Sequence, residues 1–170
     1  YPIAAGDVFL INTDQSHGFT EAEGLVLCNI LFHDRVLEGA ETWLDRMPEY
    51  QALFRLEPKL RQRQHFAGRL RLAPAQVVDA FALAAAARDE IRRGAPGCEA
   101  AAVAIFVQLV VQLCRWYRTG GTPEAEELIG AGRAISHIHN HFAEPIKIED
   151  LAAIAHMSRR NFFRQFRHAT

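Results

Sequence analysis

The chain has 170 residues, 49% hydrophobic and 23% charged, with a formal net charge of −1. That composition suits one or two small globular domains and excludes a chain that is basic throughout. The charge is uneven, however: residues 129–170 hold six Lys+Arg against three Asp+Glu, and residues 1–128 hold thirteen against seventeen. Only the tail has the electrostatic footprint of a nucleic-acid surface. The cysteines, Cys28, Cys98 and Cys114, are odd in number, widely spaced and set in apolar runs. Reduced, buried thiols in a cytoplasmic protein are expected, rather than disulfides or a zinc site.

Residues 1–33 read as β. An apolar strand at 8–11 follows Gly6 and Asp7, and residues 12–16, Asn-Thr-Asp-Gln-Ser, carry turn chemistry. The run at 25–32, Leu-Val-Leu-Cys-Asn-Ile-Leu-Phe, is apolar on both faces except Asn29. Such a run fits a strand buried on both sides in a small sandwich or barrel. Residues 34–75 are mixed: large apolar side chains (Leu53, Phe54, Leu56, Leu60, Phe66, Leu70, Leu72) alternate with arginines in what reads as a solvated edge.

Pro74 opens a helix of high propensity that runs to Arg93, and the Gly94–Gly97 segment breaks it. A second helix is expected from about Cys98 to Arg118. Its core at 100–114 is apolar around most of its circumference, broken by Gln108 and Gln112, and reads as too short and interrupted to span a membrane. A helix so apolar must be covered. An antiparallel helix pair that dimerises the protein is one expectation, and a buried intramolecular helix is the other.

Residues 119–123, Thr-Gly-Gly-Thr-Pro, form the best linker in the chain. Beyond it a helix carries Ile129, Ile135, Ile138 and Phe142 as apolar positions. His137 and His141 share one of its faces while His139 points away, which is too few ligands to hold a metal.

The last stretch has the pattern of a helix, a tight turn and a second helix. Leu151, Ala152 and Ala155 give the first helix its apolar face, His156 and Met157 make the turn, and Ser158 caps the helix that follows. Phe162 and Phe166, four apart, form the buried side of that second helix. From Ser158 to Thr170 there are four arginines and no acid. An apolar stripe that anchors the helix, with Arg and Asn on the other faces, is what a helix-turn-helix needs in the major groove.

Residues 148–158, Ile-Glu-Asp-Leu-Ala-Ala-Ile-Ala-His-Met-Ser, with Phe162, Arg164, Phe166 and Arg167, resemble the first helix-turn-helix of the AraC/XylS family of bacterial transcription regulators. Residues 134–142 resemble the helix that leads into it. The resemblance implies base contacts from Arg160, Phe163 and Arg164, phosphate contacts from Arg159 and Arg167, and further interface positions at Ser158 and Asn161. Three positions depart from the family pattern: His156 stands where Gly is usual, Lys147 where Ser or Thr caps the first helix, and Gln165 where an apolar residue is common.

The front of the chain adds a second resemblance. Gly6, Asn12, Thr13, Asp14 and His17 have the spacing of the second conserved motif of cupin barrels, with Asn12 and Asp14 in place of its Pro and Gly and Glu21 in place of its Asn. Together with residues 25–32 and 53–58 they resemble the sensor domains of sugar-responsive AraC-type regulators, such as the rhamnose-operon activators. The implied organisation is α+β. It comprises the C-terminal part of a cupin-like effector-binding barrel (1–72), an antiparallel helical connector with dimerisation helices (73–120), a linker (121–127) and an all-α helix-turn-helix unit (128–170).

The implied protein is a cytoplasmic activator, not an enzyme, with no cofactor, no metal and no membrane contact. It would bind a sugar near His17 and Asn29, bind promoter DNA, contact RNA polymerase and form a homodimer. The alternative is a metal-dependent cupin enzyme, an isomerase or oxygenase, with a helical appendage. The resemblance also implies a missing barrel front and a missing second helix-turn-helix, so weak DNA binding is expected from these residues alone.

Overall fold

The computed structural model describes residues 2–11, 17–20, 23–33, 35–61 and 70–169. It is built from helices. After a first short strand, β1 (Asp7–Val8), come α1 (Arg35–Glu38), α2 (Glu41–Leu44) and α3 (Pro48–Tyr50). A π-helical segment, Gln51–Leu56, continues into α4 (Glu57–Arg61), and a second strand follows, β2 (Leu70–Arg71). The remainder is α5 (Pro74–Arg93), α6 (Cys98–Thr119), α7 (Pro123–His141), α8 (Ile148–Ile154) and α9 (Arg159–Ala169).

This corrects the expected α+β architecture. Among the described residues no barrel forms; the sheet is one antiparallel pair with Asp7 opposite Arg71 and Val8 opposite Leu70. The apolar run at 25–32 forms no strand. The turn expected at 12–16 lies outside the described residues. Within the mixed region, residues 35–61 are largely helical, because their apolar residues recur at helical spacing. Leu37 and Leu44 lie seven apart, Tyr50, Leu53 and Leu56 three apart, and all are buried. The π segment has a local cause. Glu57 donates its N–H to the Ala52 carbonyl, five residues back, one residue before Pro58. Proline lacks the next N–H and its ring crowds the preceding turn, and a widened turn accommodates both.

Two clusters form the body. One joins Leu53 and Leu56 of the π segment, Leu70, Leu72, Leu109, Leu113 and Tyr117 with Leu128 and Ile129. The other joins Leu37, Leu44 and Tyr50 with Val110 and Cys114. Helix α6 supplies both, through its C-terminal half. Its 22 residues are long and apolar enough to cross a bilayer by length and composition, more than the apolar core at 100–114 suggested. Helix α5 packs along α6 and has no buried residue; Val78, Phe81 and Ile91 on it are exposed. Of the three thiols, Cys114 is buried, Cys98 half-buried and Cys28 exposed, so burial holds for Cys114 and not for Cys28.

Helix α7 is the element that positions the tail. The Thr122 hydroxyl accepts from the Ala125 N–H, so residues 123–127 of the expected linker are the first turn of a helix. One side of α7 lies on α3 and the π segment, where Gly132 sits against the Pro48 carbonyl with no room for a side chain. The Ser136 hydroxyl donates to the Asp45 carbonyl at 2.8 Å, and the Gln51 amide donates to the Asp45 carboxylate at 3.0 Å. The other side of α7 carries the tail.

Candidate nucleic-acid interface

Helices α8 and α9 form a unit with its own core. Leu151, Ala152, Ala155 and Phe162 are buried against Ala134 of α7, with Ile138, Ile146, Ile148, Met157 and Phe166 packed around them. The small residues permit this closeness. A Cβ on Gly130 would stand 2.6 Å from the Ala155 carbonyl oxygen, so α7 and the end of α8 meet backbone to backbone. Phe142, expected on the apolar side of α7, is 80% exposed because the helix ends before it.

The turn is tight. The Met157 N–H donates to the Ala152 carbonyl and the His156 N–H to the Ala153 carbonyl. His156 has φ of 56°, the left-handed conformation that the sequence position requires and that glycine adopts without penalty. Lys147 leads into α8 in an extended conformation and gives no side-chain cap. The Ser158 hydroxyl accepts from the Asn161 N–H at 3.3 Å, which caps α9 as its sequence predicts.

On α9, Phe162 and Phe166 pack inward with tilted rings whose centroids lie 5.2 Å apart. Arg160, Phe163, Arg164 and Arg167 are exposed and lie within one outward stripe at three- and four-residue spacing. Phe163 is 47% exposed, a large apolar ring held among cations. Arg160 and Arg167 have no ion-pair partner among the described residues. Arg164 donates to the Asn161 side-chain oxygen at 2.7 Å, so these two expected contacts hold each other.

Two polar contacts could not be read from the chain pattern. Arg159 pairs with Glu149 of α8 at 3.0 Å and lies 5.9 Å from the Phe163 ring centroid. Its charge is therefore already partnered where a phosphate contact is expected. Gln165, a departure from the family pattern, donates to the Glu127 carboxylate at 2.6 Å and ties α9 to the first turn of α7. The i, i+38 separation hides that bond from any local reading.

The expected effector residues are not brought together. His17 and Asn29 are both exposed and face no barrel interior, because the barrel is absent among the described residues. His17 meets Phe19 edge-on at 6.3 Å. A cavity of about 150 Å³ lies between Leu70, Arg71, Tyr117, Gly120, Thr122 and Ala125. It is smaller than the roughly 300 Å³ at which small-molecule sites begin, and neither residue lines it. His137 and His141 stack with centroids 4.3 Å apart, and His141 Nδ1 is 3.3 Å from Glu144. No group of three or more metal-ligating side chains occurs among the described residues. Comparison of the chain with protein-family models, curated proteins and solved structures finds no match.

Proposed function

We propose that the chain is a sequence-specific DNA-binding module of a transcription regulator and that α9 is the helix that enters the major groove. The observation that carries this reading is the division of α9. Phe162 and Phe166 lock one side into the core, while Arg160, Phe163, Arg164 and Arg167 stand on the open side with no acid on the helix. Its short left-handed turn at His156 and its Ser158 cap give it the geometry of a second helix in a helix-turn-helix. Arg160 and Arg164 read guanine O6 and N7, Phe163 presses on a thymine methyl, and Arg167 binds phosphate. The resemblance to AraC/XylS regulators supports the same assignment. A small-molecule effector, on this reading, binds at a site other than a cupin barrel.

The experiment is selection of duplexes from a random-sequence library, followed by anisotropy titrations across a salt series. A recurrent motif is expected, with affinity that falls with salt because phosphate contacts release counterions. Arg160→Ala weakens the selected complex by about 1–3 kcal/mol and relaxes one guanine position, whereas Arg167→Ala lowers affinity on all sequences and flattens the salt slope by about 1. Binding that no α9 substitution alters would overturn the proposal.

A further inference from the structure

Helix α9 is seated on one line of side chains. Phe162 is buried in the tail core and Phe166, one turn on, is partly buried beside it. A helix held along a single line keeps some freedom to roll about its own axis. Roll matters to a helix that reads DNA. Arg160 and Arg164 stand exposed on the open side. A roll of about 20° moves a point about 6 Å from the helix axis by about 2 Å. That exceeds the spread of about 0.5 Å over which hydrogen-bond distances range.

Gln165 is placed to stop this motion. At about 100° per residue it lies about 60° around the helix from Phe162 and about 100° from Arg164, on the border between the buried and open sides. Its amide donates to the Glu127 carboxylate at 2.6 Å. Glu127 lies in the first turn of α7, where the Thr122 hydroxyl caps the helix. The next two residues, Leu128 and Ile129, are buried in the body cluster with Leu109 and Leu113 of α6. The bond therefore fastens α9 to a firm part of the body, 38 residues away in the chain. Arg159, about two turns before Gln165, reaches Glu149 of α8 and steadies only the start of the helix.

We propose that Gln165 is a positioning residue for sequence readout: its bond to Glu127 fixes the roll of α9 and so decides which base edges Arg160 and Arg164 reach. The role rests on the reading of α9 as the groove helix. Gln165 acts through the two arginines and touches no base itself. Phosphate contacts tolerate a small roll, because they depend on charge more than on angle, whereas paired bonds to guanine O6 and N7 do not. Loss of the Gln165 bond should thus lower discrimination between sequences and leave non-specific binding nearly as it was.

The test compares the whole chain and its variants on the selected duplex and on a scrambled duplex of equal length, at one salt concentration. Gln165→Ala, which keeps the net charge, should lower the ratio of the two affinities about tenfold, roughly the worth of one base contact. Its affinity for the scrambled duplex should stay within about twofold of wild type. Glu127→Ala removes the acceptor from the other helix and should lower the ratio by the same factor. Glu127→Gln keeps an acceptor and should recover most of it. Thermal unfolding should be nearly unchanged in all three, because the bond is exposed. A wild-type chain that prefers no duplex would overturn the groove-helix reading and the positioning role with it. A selective wild type whose ratio survives Gln165→Ala, an equal loss on both duplexes, or a Glu127→Gln ratio as low as that of Glu127→Ala would overturn the positioning role alone.

Discussion

Gly130 of α7 and the carbonyl of Ala155 at the end of α8 approach so closely that a Cβ on the glycine would lie 2.6 Å from the oxygen. Gly130→Ala should therefore push the tail unit off α7 at a cost of about 1–3 kcal/mol, the usual range for overpacking. Urea denaturation measures it. An unchanged midpoint would show that the α7–α8 contact is looser than described. Gly132→Ala, which meets the Pro48 carbonyl on the opposite side, should destabilise the body in the same range while the tail unit keeps its packing.

His156 holds φ of 56° as a non-glycine residue. His156→Gly should stabilise the protein by up to about 1 kcal/mol, because glycine adopts this conformation without its Cβ penalty. His156→Val should destabilise it by about 1–2 kcal/mol, since a β-branched residue suffers most there. Thermal unfolding of both variants checks the order Gly, His, Val.

The Arg159–Glu149 pair bears on the proposed interface. Glu149→Gln releases Arg159 toward phosphate and removes a negative charge beside it. Affinity for duplex DNA should rise and the salt slope should steepen by about 1. Because the pair is exposed on both sides, stability should change little. A loss of affinity in this variant would show that Glu149 orients Arg159 rather than competing for it.

Cys114 and Tyr50 share one buried cluster. Burial, with a smaller contribution from Glu49, pushes the Cys114 thiol up. A thiol reagent should therefore label Cys28 first and Cys114 only on unfolding. Burial pushes the Tyr50 hydroxyl up to about 12, against the opposing pull of Arg55. A raised folded value means that the unfolded chain loses its proton first. The associated stability is complete below about pH 10 and is lost as pH rises toward 12. A pH series of urea midpoints should be flat through neutrality and fall in that window.

The tail was legible because its determinants are local. The spacing of Leu151, Ala152, Phe162 and Phe166, the Ser158 cap and the left-handed turn at His156 all lie within 16 residues. Pro74, Gly94 and the helix from residue 128 onward were legible for the same reason, whereas its first turn, 123–127, reads as linker. The front was not. An apolar run such as 25–32 fits a buried strand in isolation, and only long-range packing decides whether a sheet receives it. The region at 35–61 concealed its helices because they are short and interrupted, at 45–47 and again by the π turn before Pro58. Contacts such as Gln165 with Glu127, or Arg159 with Glu149, depend on how helices cross and leave no mark on spacing.

The β1–β2 clip has a kinetic consequence. Asp7 meets Arg71 across 64 residues, with Arg71 donating to both carboxylate oxygens, whereas α5 packs along the adjoining α6. Closing so long a segment is entropically slow, and helical hairpins such as α5–α6 form on much shorter timescales. The clip should therefore close after the folding barrier has been crossed. Asp7→Asn should leave the refolding rate nearly unchanged and accelerate unfolding, so that the first residues act as a latch on the lifetime of the folded chain rather than as a guide to its assembly.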